Sequence, residues 1–442
     1  MPSNKLSARE TDSPFLPENP SRRQFLTASG AVALSACLGT LAARADTAGD
    51  LKTKKLKIGI VGLGNRGSGA VRDVLGADPN VVIWSVGDVN EETTGQNKSK
   101  LKQTYGERID CEERTFIGYD SFEKVLNSGI DIIMLATPPA FRPAQVRKSF
   151  EKGVHVFAEK PWCVDAPGLR MVESAVKAGN EKGFSFLTGL VWRHTEAAKK
   201  IYETALSGEI GDILTATGYY CLWQGMEKNS LEPAKLKTLH EHNGFKRWFS
   251  FRELGGDWIM EQFIHSVDKL GWAMNDDVPE RCYGNGGRPL NGSPGNTTEF
   301  INITYEYQDG RRALLNGSHM SRFRTIHDEI FATKGRTKLS NGRSFIEKEG
   351  KRIFEADTVA LGYELEHVTF LEHIRAGKVY SDLKPSYNTH LLALMGRMAT
   401  QTGQEIYPED VLESDEAYFD SEKKWDYDTP FETMPYPSPL NS

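Results

Sequence analysis

Apolar residues in the first half of this chain come in short, β-branched runs, each followed by a stretch with helical spacing. The runs are Leu56-Lys57-Ile58-Gly59-Ile60-Val61, Val81 to Gly87, Asp131 to Ala136 and Val154 to Ala158. Continuous apolar runs bounded by turn residues mark strands buried on both faces, and their alternation with helices predicts a parallel sheet covered on both sides. This pattern continues to about Leu187. Beyond it the pattern changes: Thr215 to Leu222, Glu299 to Tyr307 and Arg311 to Ser318 read as strands, the last two joined by an Asp309-Gly310 turn, and Ile330 to Thr333 leads into a turn at Lys334-Gly335. These suit an antiparallel sheet. Between them, Trp258, Ile259, Phe263, Ile264, Val267 and Leu270 recur at helical spacing, predicting one helix over Asp257 to Met274 with Glu261 and His265 on a shared face.

The expected fold is therefore α/β: an N-terminal domain over 46–187 built on a parallel sheet, then a C-terminal α/β domain over 188–408 with mainly antiparallel strands. Residues 1–45 are a leader, and 409–442 form an acidic, proline-rich tail that wraps a neighbouring subunit or hangs free. Lys228 to Lys246, polar and rich in lysine and histidine, reads as an insertion loop over the site or a surface excursion; Arg281 to Thr298, rich in Gly, Pro and Asn, reads as a long turn region.

Composition narrows the function. With 54 basic against 60 acidic residues, a net charge of −6 and no basic block in the later sequence, nucleic acid is not the expected partner. The five cysteines (Cys37, Cys111, Cys163, Cys221, Cys282) form no CxxC pair, so neither a metal site nor a disulfide framework is expected. In the leader, Ser21-Arg22-Arg23-Gln24-Phe25-Leu26 precedes a weakly apolar run, Leu26 to Ala42, too short and too rich in Gly, Ala and Ser to span a membrane. It resembles a twin-arginine (Tat) export signal, which implies a periplasmic or secreted protein exported already folded. Ala43-Arg44-Ala45 offers a cleavage site, whereas Leu34-Ser35-Ala36-Cys37 resembles a lipoprotein box that would anchor the chain at Cys37; an ordinary N-terminal helix is the third alternative. The first 45 residues hold five basic and three acidic side chains, so cleavage after Ala45 takes the charge from −6 to −8.

The mature chain opens with a dinucleotide motif. Gly62-Leu63-Gly64-Asn65-Arg66-Gly67 follows the first strand at once and leads into a helix over Ser68 to Leu75. Gly62 makes the turn, Gly64 lets the backbone approach a pyrophosphate, and Gly67 permits close helix packing. The uncapped N–H groups of Asn65 and Arg66 begin the helix and face the phosphates. Asp88 ends the second strand, where a carboxylate accepts the ribose hydroxyls and repels a 2′-phosphate, favouring NAD over NADP. Thr137 and Pro138, and Glu159 and Lys160, end the next two strands and so fall on the cofactor side.

The Gly62 to Gly67 loop, Ala136-Thr137-Pro138-Pro139 and Glu159-Lys160-Pro161 together resemble the Gfo/Idh/MocA family of oxidoreductases. Gly189 to His194, Gly211-Asp212-Ile213, Gly255-Gly256-Asp257, Glu261 to Asp268, Met395-Gly396-Arg397 and Thr402-Gly403-Gln404 extend the resemblance over nearly the whole mature chain. It implies an N-terminal Rossmann dinucleotide-binding domain and a C-terminal α/β domain with an open, mainly antiparallel sheet, a sugar-related substrate bound on that sheet domain, and the open sheet serving as a homo-oligomer face.

Oxidising a sugar carbinol needs a base for the hydroxyl proton and a positive group for the developing alkoxide. Lys160 and His265 fit, and the resemblance implies an acid four residues before the histidine; Glu261 stands where inositol dehydrogenase-like members carry Asp. Arg193 and His194 are candidates for binding substrate hydroxyls or a carboxylate, and Tyr219, Tyr220, Trp223, Arg247 and Trp248 for a sugar-stacking rim. Tyr363 and His367 are an i, i+4 pair on a late helix.

Outside the cytoplasm there is little free NAD to exchange. A sugar oxidoreductase that retains its NAD is therefore expected. The alternatives are a redox-neutral, NAD-dependent glycosidase, working by oxidation, elimination, addition and reduction, and a non-catalytic sugar-binding protein, against which the presence of both Lys160 and His265 weighs.

Overall fold

In the computed structural model, six parallel strands are arranged in the order β3-β2-β1-β4-β5-β6. They are β1 (Leu56–Val61), β2 (Val81–Asp88), β3 (Thr115–Ile117), β4 (Ile132–Leu135), β5 (His155–Ala158) and β6 (Phe186–Thr188). The structure describes residues 51, 53–223, 235–244, 248–289, 295–357 and 359–437. The leader signal, Cys37, residues 228–234 and 245–246 of the 228–246 insertion, and Arg247 therefore lie outside the described residues. The order in which strands are added reverses between β1 and β4, and this switch point opens a crevice at the strands' carboxyl ends. Strands β1 and β4 are buried along almost their whole length, as their unbroken apolar runs require.

The second sheet has eight strands in the order β14-β13-β12-β11-β7-β10-β9-β8. These are β7 (Ile213–Trp223), β8 (Arg281–Gly287), β9 (Phe300–Glu306), β10 (Arg312–Ser318), β11 (Met320–Ala332), β12 (Gly335–Ser340), β13 (Ser344–Lys348) and β14 (Lys351–Ala356). All pairs are antiparallel except β7 with β10. The Asp309-Gly310 turn joins β9 to β10 as a hairpin, as expected. One face of the sheet packs on helices Ile264–Ala273 and Leu383–Thr402. On β9 and β10 that face carries Ile301, Ile303, Tyr305, Ala313 and Leu315, all buried. Tyr305 donates to Leu392 O at 2.8 Å, and a side chain at Gly396 would collide with its hydroxyl. The other face bears Tyr283, Leu314, Asn302 and Asn316 towards solvent.

Two expectations are corrected. The start of the supposed long turn over Arg281 to Thr298 is strand β8, at the sheet edge. Its glycines weaken β propensity, but a Cβ at Gly284 or Gly286 would strike the main-chain carbonyls of Asn302 or Phe300 on β9, so the pairing itself demands them. The tail neither hangs free nor, in its described part, needs another subunit to pack on. After a short helix, Pro408–Leu412, it runs as a strap along its own chain and buries Tyr418, Phe419 and Phe431 in an apolar cluster with Leu239, Phe251 and Leu254.

The two halves are interlocked. Helix Tyr363–Arg375, late in the chain, lies on helix Asn65–Ala77 of the first half, with Phe370, Leu371 and Ile374 completing the core around Leu56, Ile58, Val71 and Leu75. Arg375 ion-pairs with Asp78 at 2.5 Å and donates to the Leu51 carbonyl at 2.7 Å.

Candidate functional site

The crevice between β1 and β4 is shaped by glycines. Gly62 has φ +89°, and a Cβ there would lie 2.6 Å from Ala136 O, while a Cβ on Gly67 would run into the Gly62 carbonyl. Above Gly64, by contrast, nothing comes within 4 Å of a built Cβ, leaving an open cradle at the start of helix Asn65–Ala77. No side chain caps that helix, so its first N–H groups point into the cradle as an anion site. Asp88, at the end of β2, accepts from Leu63 N through Oδ2 at 2.7 Å and from Val89 N and Asn90 N through Oδ1 at 2.7 and 3.0 Å. Burial pushes its carboxyl above the usual range while these N–H groups pull the other way. Anion cradle, open glycine and strand-end acid fit a dinucleotide. At the end of β4, the Thr137 hydroxyl donates to Gln145 Oε1 at 2.7 Å and its carbonyl accepts from buried Arg142, a contact the sequence did not advertise; Pro138 leads directly into the 3-10 turn Pro139–Phe141.

Glu159 and Lys160 leave β5 in opposite roles. Glu159, buried, ion-pairs with Arg66 Nε at 2.7 Å; Arg66 also pairs with Asp73 at 2.6 Å and lies 4.6 Å from the Tyr363 ring centre. Burial works against the Arg66 charge, but Glu159 and Asp73 more than offset it and hold its pKa above the ordinary value. These two residues thus tie the glycine turn to the end of β5. Lys160 points into the second domain: its ammonium donates to the Glu261 carbonyl and stands 3.6 Å from Glu261 Oε1.

The expected single helix carrying Glu261 and His265 is broken. Asp257, at φ +84°, caps Trp258 N at 2.7 Å and starts a four-residue helix, Trp258–Glu261; a separate helix runs over Ile264–Ala273. At the junction Phe263 N bonds to Trp258 O, an i to i−5 contact that inserts one residue into the turn and rotates the second helix relative to the first. Consequently Glu261 turns to Lys160, and His265 Nδ1 is buried with no hydrogen-bond partner among the described residues. Burial, then the charges of Lys160 and Lys269, hold the imidazole well below its ordinary pKa, so it is neutral. Lys269 is fully buried in an ion pair with Asp328, whose carboxyl burial pushes up to about 6. This pair behind His265 was not legible, because its halves lie on a helix and a strand far apart in sequence.

The substrate candidates divide. Tyr220 of β7, half-buried, sits 5.5 Å from the Phe263 ring, and its phenol is pushed up to about 12 by burial and by Glu261; it belongs with Lys160, Glu261 and His265. Arg193 does not. Its guanidinium pairs with Asp268 at 2.6 Å and with Asp276 at 2.6 and 2.9 Å, and lies over Trp272, so its donors are committed to the core. His194 is buried at the domain junction, where burial lowers its pKa to about 4 and a side chain at Gly362 would strike its carbonyl. Trp248 packs on Phe249 and in the cluster under the strap, Tyr219 stacks on His327 at 4.8 Å, and His367 is buried against Phe157. The Trp223 side chain lies outside the described residues. Among the described residues no group of His, Cys, Asp and Glu is placed to hold a metal ion, and no helix is long and apolar enough to cross a membrane.

Comparison with known proteins agrees with this geometry. The profile described as an oxidoreductase family with an NAD-binding Rossmann fold matches residues 56–190, and that of the GFO/IDH/MocA C-terminal domain matches 197–338, together more than half of the chain. The uncharacterized oxidoreductase YrbE of Bacillus subtilis is 23% identical over 336 residues, covering 73% of this chain and 87% of its own. The 2,7-anhydro-N-acetylneuraminate hydratase of Escherichia coli is 25% identical over 243 residues, 53% of this chain and 58% of that protein. Among solved structures, levoglucosan dehydrogenase in complex with NADH and levoglucosan superposes with a TM-score of 0.64 at 15% identity, covering 80% of this chain and 99% of that one. Aldose-aldose oxidoreductase from Caulobacter crescentus gives 0.63 at 16%, over 80% and 100%.

Proposed function

Because the chain belongs to the Gfo/Idh/MocA family of NAD-binding oxidoreductases, we propose that it acts on a secondary hydroxyl of a sugar or sugar derivative and retains its NAD between turnovers. The observation that carries this is the meeting of Lys160, from the Rossmann half, with Glu261 and His265, from the sheet domain, beside the glycine cradle. NAD, when bound, supplies the hydride acceptor and donor. Gly62, Gly64, Gly67 and the N–H groups of Asn65 and Arg66 hold its pyrophosphate, and Asp88 its ribose. Lys160 meets the substrate oxygen and steadies negative charge there; Glu261 keeps the ammonium aimed. His265, neutral, takes the hydroxyl proton. Tyr220, packed on the buried Phe263 ring, walls the sugar.

A redox-neutral variant, in which the hydride returns to the same sugar after elimination and addition across a bond next to the oxidised carbon, has one observation in its favour: the similarity to proteins named hydratases. Export by a Tat signal, cleaved after Ala45 or lipidated at Cys37, fits either version, since retained NAD needs no cytoplasmic pool. The solvent face of the second sheet, with Tyr283 and Leu314 exposed, is proposed to pair with a second copy of the chain.

The test is to purify the exported protein, denature it and look for released NAD, then to supply free sugars and aryl glycosides without cofactor. A keto-sugar supports net oxidation, and aglycone release without NADH supports the redox-neutral route. No reaction on any sugar in NAD-loaded protein would refute both.

A further inference from the structure

The strap crosses the chain at a particular place. The backbone at Thr429 and Phe431 pairs with Lys237 and Leu239 in two bonds of 3.0 Å, and Met434 N donates to Glu253 at 2.6 Å, fixing the strap to the second domain. Glu422 accepts from Arg147 Nε and Nη2 at 2.7 to 3.1 Å, fixing it to the first. Between these anchors Tyr427 reaches the carboxyl edge of the parallel sheet and donates to Val89 O at 3.1 Å, one residue past the ribose-binding Asp88. Its ring meets Tyr119, just past β3, at 5.5 Å and His240 at 4.6 Å, both edge to face. Tyr119 in turn faces Phe141, just past β4, at 6.2 Å. The Nδ1 of His240 is buried without a partner among the described residues. Beside this group the strap does not close flush: Tyr119, Phe141, Gln145, Glu422 and Trp425 line a cleft of about 380 Å³.

A ribose held by Asp88 carries its base outward past the ends of β2, β3 and β4, which is where these rings stand. Flat aromatic faces are what a purine stacks on. We propose that the C-terminal strap forms the outer wall of the adenosine subsite, with Tyr427 and His240 lining one side of the adenine, so that the chain's own tail limits the escape of NAD. This rests on the NAD-retaining reading given above and names the part that does the retaining.

The experiment uses the full chain. Exchange of bound NAD against labelled NAD, and the Kd values of ADP-ribose and nicotinamide mononucleotide, are measured for the native protein, Tyr427→Ala, Tyr427→Phe and His240→Ala. Tyr427→Ala and His240→Ala should each speed exchange and weaken ADP-ribose by about tenfold while leaving the mononucleotide unchanged. Tyr427→Phe, which keeps the ring, should recover most of the loss. Nucleotide-free thermal unfolding identifies any variant that has merely lost its fold, and Tyr427→Phe then carries the comparison against native protein. Unchanged ADP-ribose binding in folded variants, or equal weakening of both fragments, overturns the proposal. If native protein exchanges NAD within seconds the retention reading fails by itself, while the fragment comparison still decides whether the strap lines the subsite.

Discussion

Lys160 and Glu261 meet across the domain boundary, the ammonium 3.6 Å from the carboxylate and bonded to the carbonyl of the same residue. Because one partner comes from each domain, the contact registers the cofactor half against the substrate half. Replacing Lys160 with Met should lower kcat/KM by about 10²- to 10⁴-fold. Glu261→Gln leaves the main-chain acceptor in place, so its loss should be smaller, on the order of tenfold. Steady-state kinetics with sugar as the varied substrate measures both, and equal losses would contradict the separate roles.

As the base proposed above, His265 should set the acid side of the pH profile. A ring whose pKa is held well below 6.5 stays a base as the pH falls, so its protonation should not depress activity until below pH 6.5. Removing a neighbouring cation relieves part of that depression, so the ring in Lys160→Met should titrate at higher pH than in native protein. An NMR titration of the nucleotide-free proteins measures this directly, and a shift in the opposite direction would refute the assignment.

Arg193 should behave as a core residue. Arg193→Ala strands Asp268 and Asp276 and is expected to destabilise the fold by about 3 to 5 kcal/mol. Lysine should restore only part of this, since one ammonium cannot reproduce the forked contacts. Urea unfolding decides the matter; unchanged stability with a raised KM would return Arg193 to the substrate site.

The buried histidines set the acid stability of the fold. His194 is lowered to about 4, and His319, His367 and His390 to about 3, burial being the first cause in each. The unfolded chain therefore binds protons these sites refuse, and each histidine removes up to about 1.4 kcal/mol per pH unit as the pH falls from 6.5 towards those values. Asp382, raised to about 7, and Asp328, raised to about 6, act in the opposite sense: their contribution is present at low pH and lost as the pH rises through those values. His155, lowered to about 4, and His265, held well below its ordinary value, add to the losses, and Glu366, pushed well above its ordinary value by burial, adds to the gains, so that among the strongly shifted groups six against three give a net loss between pH 6 and 4, readable as a falling urea midpoint. His319→Phe, whose neighbours are the Trp258 and Phe263 rings, should flatten that slope.

The parallel sheet and the glycine cradle could be read from the sequence because each depends on neighbours in the chain: an apolar run, a turn, a helix start. Long-range demands were less visible. Nothing local shows that Asp257 adopts a positive φ, so the break before Ile264 and the turning of Glu261 to Lys160 escaped the helical periodicity. The glycines of β8 read as turn residues because the carbonyls that exclude a side chain belong to β9. In the tail, acids and prolines masked Phe419, Trp425 and Phe431, whose partners lie near positions 140, 164 and 251. Arg193 looked like a cleft residue because its two aspartates are more than seventy positions away.

The interlock made by Arg375 bears on how the chain is manufactured. Its partner Asp78 is separated from it by 297 positions, and Phe370, Leu371 and Ile374 close the apolar layer over the first strand and helix. During synthesis the cofactor half emerges long before the helix that covers it. Until residue 375 has left the ribosome, the nascent chain carries an uncovered greasy flank, and contacts of this sequence separation form slowly. A translation pause or truncation between β6 and that helix should therefore yield aggregates rather than a free-standing dinucleotide-binding module.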